Sequence, residues 1–293
     1  MIVQKHTLSL GPLAIALLIP NAVFAGDIVA KSIAADLSKA DPTAAYWANV
    51  AGEQVSLMAQ PMVAPRPKTT MTPFVTVQAV HDGHWLAFRL RWKDTEKSEA
   101  GKLGETSDAL AIQFPINESE TPPPIFMGTK GNPVHIFHWR AQYQRDAERG
   151  KPTMRDLYPN MMIDMYPMEY SDYGNMKKPG DEQREKFSPG RAEGNPQAYE
   201  KSGVDEIYAE GFSTSSVQEG GGSHARGVWQ NGEWTLVITR ELKREGGSVC
   251  QVGRKTFAAF AVWQGGSSEV GSRKSVTMQW STVQIEATKE AKR

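Results

Sequence analysis

The sequence predicts an all-β fold, an antiparallel β-sandwich with long loop insertions. Three observations predict it. Segments of alternating apolar and polar residues recur along the chain, turn residues separate them, and no amphipathic helical pattern intervenes.

"TVQAVHDGHWLAFRLRW" (76–92) reads as two strands around Asp82-Gly83. Leu86, Phe88, Leu90 and Trp92 point one way, and Ala87, Arg89 and Arg91 the other. "ALAIQF" (109–114) and "VHIFHW" (134–139) alternate likewise, and "GVWQNGEWTLVITREL" (227–242) reads as a second hairpin turning at Asn231-Gly232. "TFAAFAVWQGG" (256–266) and "SVTMQWSTVQIE" (275–286) complete the strands. Residues 143–200 break this rhythm, being polar and rich in Pro, Gly and Met. So long an excursion is disordered or functional, and its Met and Tyr content favours a lid or a docking surface. "NPQAYEKSGVDEIYAEGFST" (195–214) reads as a fixed loop.

Residues 1–25 form a secretory signal. A short basic region (Lys5, His6) precedes an apolar stretch from Leu8 to Ile19, with small residues placed for cleavage before Gly26. The mature chain, 26–293, is then expected outside the cytoplasm without a membrane span, long enough for one large domain with long loops or for two small ones. The 33 basic and 33 acidic residues balance, which argues against a nucleic-acid or polybasic membrane partner. Cys250 is the sole cysteine and reads as a small buried residue at the start of a strand. It leaves no intrachain disulfide, CxxCH haem attachment or CxxC metal pair.

Enzyme signatures are missing: GxSxG, HExxH, GxxxxGK[ST] and a post-strand GxGxxG do not occur. His81 and His84 flank a hairpin turn. His135 and His138 lie three apart on a strand, so they project from opposite faces and cannot share one ion, although one of them can line a pocket. The chain reads as non-catalytic. That leaves "PPPIFMGTKGNPVHIFHW" (122–139), where a proline-braced loop carries Met127 at its tip.

Several stretches resemble the haem b-binding γ subunit of periplasmic molybdenum enzymes of the dimethyl sulfoxide reductase superfamily, which serve ethylbenzene and dimethyl sulfide dehydrogenases, selenate and chlorate reductases and some nitrite oxidoreductases. They are "VHDGHWLAFRLRWKD", "SDALAIQFP", "PIFMGTKGNPVHIFHWRA", the Lys201 stretch with "AEGF", and "AFAVWQGG…RKSVTMQW". The resemblance implies a β-sandwich holding one non-covalent haem b between axial methionine and lysine ligands. It places these at Met127, in Phe-Met-Gly, and at Lys201, ahead of Val-Asp-Glu-Ile. Lys177, Lys178 and Lys186 lie in the same region, and His135 and His138 are substitute donors. It further implies an electron-transfer subunit of a heterotrimer with a molybdopterin-containing catalytic subunit and an iron–sulfur subunit, and an external carrier such as a c-type cytochrome. The alternative is a secreted carbohydrate-binding sandwich with Trp85, Trp139 and Trp229 as stacking platforms.

Overall fold

The computed structural model describes residues 26–117, 119–152, 154–160, 203–218, 222–244, 246–248 and 250–288, with positions 189 and 193. The signal at 1–25, most of the 143–200 excursion and Lys201 lie outside the described residues.

Both sequence-predicted hairpins form where the turn chemistry places them. Strands β4 (Phe74–His81) and β5 (Trp85–Lys93) flank Asp82-Gly83. There the Asp82 carboxylate accepts from the His84 and Trp85 amides at 2.8 and 2.6 Å, and Gly83 takes φ 94°. Strands β10 (His224–Gln230) and β11 (Glu233–Glu241) flank Asn231-Gly232, with φ of 53° and 73°. Two successive positive φ values make the tight turn whose twist suits a hairpin.

The first sheet runs β10-β11-β5-β4-β1-β14, where β1 is Ile28–Ser32 and β14 is Ser281–Ile285; β2 (Glu53–Ser56) also pairs with β4. The second contains β6 (Ala109–Pro115), β7 (Val134–Arg140), β8 (Val204–Ala209) and β9 (Ser216–Val217). One strand joins the two sheets. In β12 (Lys255–Trp263), residues 255–258 pair with β14 and residues 259–263 with β6. Two short strands, β3 (Met58–Ala59) and β13 (Ser275–Val276), extend the second sheet beyond β12.

Between the sheets lies the core. Leu86, Phe88, Leu90 and Trp92 of β5, on one face as the alternation predicts, meet Leu110, Ile112 and Phe114 of β6 and Phe137 and Trp139 of β7. Trp92, Trp139 and Trp234 close one end, with ring centroids 5.0 to 6.2 Å apart. Cys250 is buried in this core as expected, but in the loop after β11, where its amide donates to the Leu242 carbonyl at 2.7 Å.

The structure departs from the sequence reading in four places. Strand β1 is parallel to both its neighbours, an exception within an otherwise antiparallel fold. It does not enter through a hairpin, so nothing forces antiparallel pairing. The segment 275–286 is two strands in different sheets, broken at residues 277–280. Val204–Ala209 is strand rather than loop; its central Asp205 and Glu206 hide the apolar pattern, yet both are buried. The excursion opens with helix α1 (Ala141–Arg149), ended by Gly150 at φ 78°, and a short helix α2 (Met154–Leu157) follows.

A buried carboxyl pair ties three segments together under the tryptophans. Asp108 accepts from the Ser98 amide at 2.7 Å, the Gly265 amide at 2.8 Å and the Trp234 indole at 3.0 Å; burial pushes its carboxyl above the usual range, and these donors partly offset that. The Asp94 carboxyl accepts from the Glu96 amide at 3.2 Å and shares a hydrogen bond with Asp108. Burial first, and then the Asp108 charge, push the Asp94 carboxyl up to about 7. Because the folded state holds this proton more tightly than the unfolded one, Asp94 favours folding below its unfolded value near 4. That advantage is lost as pH rises towards 7. Asp94→Asn is therefore expected to flatten the pH dependence of unfolding between about pH 4 and 7 and to raise the melting temperature at pH 8 by at least about 2 °C, read by thermal melts.

Candidate functional site

Strands β6, β7 and β12 are covered on both faces, and their two faces differ in kind. The inward residues are large. The outward rows are Ala109, Ala111 and Gln113 on β6, Ile136, His138 and Arg140 on β7, and Ala259, Ala261 and Trp263 on β12. Register aligns the small ones: Ala261 pairs with Ala111, and Ala111 with His138. The result is a largely apolar floor that includes Ala111, Ala259 and Ala261 beneath a cleft of about 420 Å³. Its walls come from Ile125–Met127, Phe212–Ser215, Gln60 and Val63, and residues 271–277.

Met127 lies on this wall, packed against the cluster of Ala111, Ile136, Ala209 and Trp263. Its backbone is unusual for a side chain with a Cβ, at φ 60°, and Gly128 follows at φ 73°. Such a conformation costs roughly 1–2 kcal/mol and persists only where the surroundings hold it. Here three carbonyls of the loop are held. The Trp280 indole donates to Pro123 O at 2.7 Å, the Gln113 amide to Ile125 O at 2.8 Å, and the Gly211 amide to Met127 O at 2.8 Å. Phe126 and Phe212 place their rings 6.5 Å apart, tilted by 30°, across the same junction. The Phe-Met-Gly loop and the "AEGF" stretch thus form one unit.

Two further donors line the cleft. Lys274 precedes β13, and its ammonium sits 4.7 Å from the centre of the Trp263 ring. Burial alone lowers the amine to about 8, and no carboxylate lies against it among the described residues. The His138 ring lies 4.9 Å from the same indole, tilted by 32°, and its Nε2 is buried without a hydrogen-bond partner among the described residues. Burial, then the Arg140 and Lys274 charges, keep its imidazole well below the usual histidine range, so it is neutral. The sequence reading sent His135 and His138 to opposite faces, and they lie there. His135 points away from the cleft towards Glu206, its Nε2 3.3 Å from the carboxylate.

Lys201 lies outside the described residues; the description resumes at Gly203, just before β8. Lys274 is the cleft residue that the sequence reading missed. Its signal was a basic pair, Arg273-Lys274, within "RKSVTMQW", but only the β13–β12 pairing brings it beside Trp263. The tryptophan platform expected of a carbohydrate-binding module does not assemble. Trp139 is fully buried in the core with its indole donating to Gln144 at 3.0 Å, and the Trp229 indole donates to Asp94 O at 2.9 Å.

A soft thioether, an amine of lowered basicity and a neutral imidazole bordering a largely apolar floor fit a planar metallocycle that takes axial ligands. The family model for ethylbenzene dehydrogenase matches residues 44–275. The chain belongs to this family. The matched span includes Met127, Lys274 and every strand of the cleft floor, as well as Lys201.

Proteins similar to this chain include a Haloferax mediterranei protein named as a putative respiratory nitrate reductase heme subunit. It is 25% identical over 264 residues, covering 87% of this chain and 72% of that one. The chlorate reductase subunit gamma of Ideonella dechloratans is 26% identical over 246 residues, covering 82% and 77%. Among solved structures, a family 9 carbohydrate-binding module from Caldicellulosiruptor kristjanssonii bound to glucose matches at TM-score 0.42 and 8% identity, over 90% of this chain and 98% of that one. Its cellotriose complex matches at TM-score 0.43 and 9% identity, over 91% and 97%.

The loop geometry makes a direct prediction. A Cβ on Gly128 would lie 2.6 Å from the Asn132 carbonyl and 3.2 Å from that of Ala209, whereas one on Gly131, at φ 81°, would meet nothing within 4 Å. Gly128→Ala is expected to destabilise by about 2–3 kcal/mol, and Gly131→Ala by no more than about 1 kcal/mol, measured as urea midpoints at constant slope.

Proposed function

We propose that this chain is a non-catalytic electron-transfer subunit carrying one haem b in the alanine-floored cleft, with Met127 as one axial ligand. The observation that carries this reading is the meeting of the Phe-Met-Gly loop and the "AEGF" stretch at the wall of one apolar cleft. The names of its relatives, a heme subunit and a gamma subunit, support it. In this proposal the chain is exported to the periplasm by residues 1–25. There it assembles with a molybdopterin-containing catalytic subunit and an iron–sulfur subunit, and it passes electrons to or from an external carrier such as a c-type cytochrome.

Haem, when bound, supplies a one-electron ferric–ferrous couple. Met127 offers a soft neutral sulfur, which favours the ferrous form and raises the potential. The floor would exclude water from bound haem, and ligation by Met127 and a lysine would leave no place for substrate at the metal. The second ligand in this proposal is a lysine amine, which binds only when neutral. The resemblance assigns Lys201. Lys274 is the second candidate, favoured by its place in the cleft and by an amine already lowered to about 8.

Absorbance of the purified mature chain tests both levels. The expected spectrum has a Soret band with sharp reduced α and β bands. Met127→Ala is expected to weaken haem retention at least about tenfold and to lower the midpoint potential of what remains. Of Lys201→Ala and Lys274→Ala, the ligand's variant is expected to turn high-spin at neutral pH. A Met127→Ala protein with the wild-type reduced spectrum and potential would remove Met127 from the iron.

A further inference from the structure

Gln113 occupies the position in the outward row of β6 where period two continues the apolar floor after Ala109 and Ala111. It is buried there, so a residue of similar size without polar atoms would fill the space at lower desolvation cost. What the amide adds is a donor. Its Nε2 reaches the Ile125 carbonyl at 2.8 Å. That same carbonyl accepts the Met127 amide at 3.1 Å, closing a three-residue turn centred on Phe126. The turn delivers the chain into Met127 at φ 60°. One side chain on a rigid strand therefore holds the acceptor around which the loop tip is folded.

We propose that Gln113 is the positioning residue for Met127. By fixing the Ile125 carbonyl it sets the turn that aims the Met127 sulfur into the cleft, before any cofactor arrives. This rests on the haem reading for its functional meaning, while the turn itself can be followed in the cofactor-free chain. Gln113→Met keeps nearly the same volume and removes the donor.

Two measurements on the full mature chain decide it. In the cofactor-free protein, hydrogen exchange of the Met127 amide is expected to rise about 2–10-fold in Gln113→Met, the worth of one hydrogen bond, while amides of β5 and β11 stay protected. In the haem-loaded protein, the methionine-to-ferric-iron charge-transfer band is expected to weaken. Transfer of haem to excess apomyoglobin should quicken by a similar factor. A lower melting temperature with unchanged Met127 exchange and an unchanged band would mean that Gln113 only packs, and would overturn the proposal. A wild-type chain that takes up no haem would defeat the haem reading instead, and the exchange comparison would still show whether Gln113 sets the turn.

Discussion

The pairing of β6 with β12 is the constraint from which the cleft follows. In the observed register Phe260 faces Ile112, Val262 faces Leu110, and Ala261 faces Ala111, so large side chains collect on one face and small ones on the other. A slip of one residue would exchange the faces, driving phenylalanine and leucine into the cleft and alanines into the core. Burial of the large face, at roughly 25 cal/mol per Å² of apolar area, opposes that slip strongly. The same energy that holds the sandwich together therefore keeps the alanines on the outer floor. Strand β12 adds a second consequence, because it belongs to both sheets. A shift at the cleft floor would have to propagate into its pairing with β14.

The Met127 loop depends on this frame for its shape. The groups that hold its carbonyls come from separate parts of the chain: Gln113 from β6, Gly211 after β8, and Trp280 between β13 and β14. None of these anchors is local to the loop, so the strained residue is over-determined by tertiary structure rather than by its own sequence. The three prolines reduce the freedom of the approach and remove donors that would otherwise need partners. A methionine placed this way has its backbone position set by the frame, so less entropy remains to be lost when something binds.

How much of this was legible in the sequence can be seen strand by strand. The β4–β5 and β10–β11 hairpins were, since alternation and the turn pairs Asp-Gly and Asn-Gly act locally. The two faces of β7 were legible by the same period, which separated His135 from His138. Strand β8 was not, because Asp205 and Glu206 stand where a half-buried strand shows apolar residues. They are accommodated by distant groups: Glu206 by the Ser223 amide at 3.0 Å and by Arg244. The break between β13 and β14 was also hidden, because each half reads as strand and only the sheets they join differ. At the site, Met127 was legible through its motif. Lys274 was not, because its place beside Trp263 arises from a two-residue strand with no pattern of its own.

Electrostatics completes the division of labour between the two faces of the second sheet. Behind β7 and β8, Glu206 is matched by Arg244, and the buried Arg240 guanidinium lies 5.1 Å from the centres of both the Phe114 and Phe137 rings while donating to Ser248. There the Glu206 charge is matched by Arg244 and the Arg240 guanidinium by hydrogen-bond acceptors and rings. The cleft side carries Lys274 without such compensation, against an indole and a neutral imidazole. A half-buried amine against an aromatic ring is costlier as an ammonium than one in open water. Among the described residues no carboxylate lies against Lys274, which leaves its nitrogen lone pair nearer to availability than on an ordinary surface lysine. In the proposed reading, that amine, the Met127 thioether and the neutral His138 imidazole are the donors that would suit this face to a metal-centred cofactor.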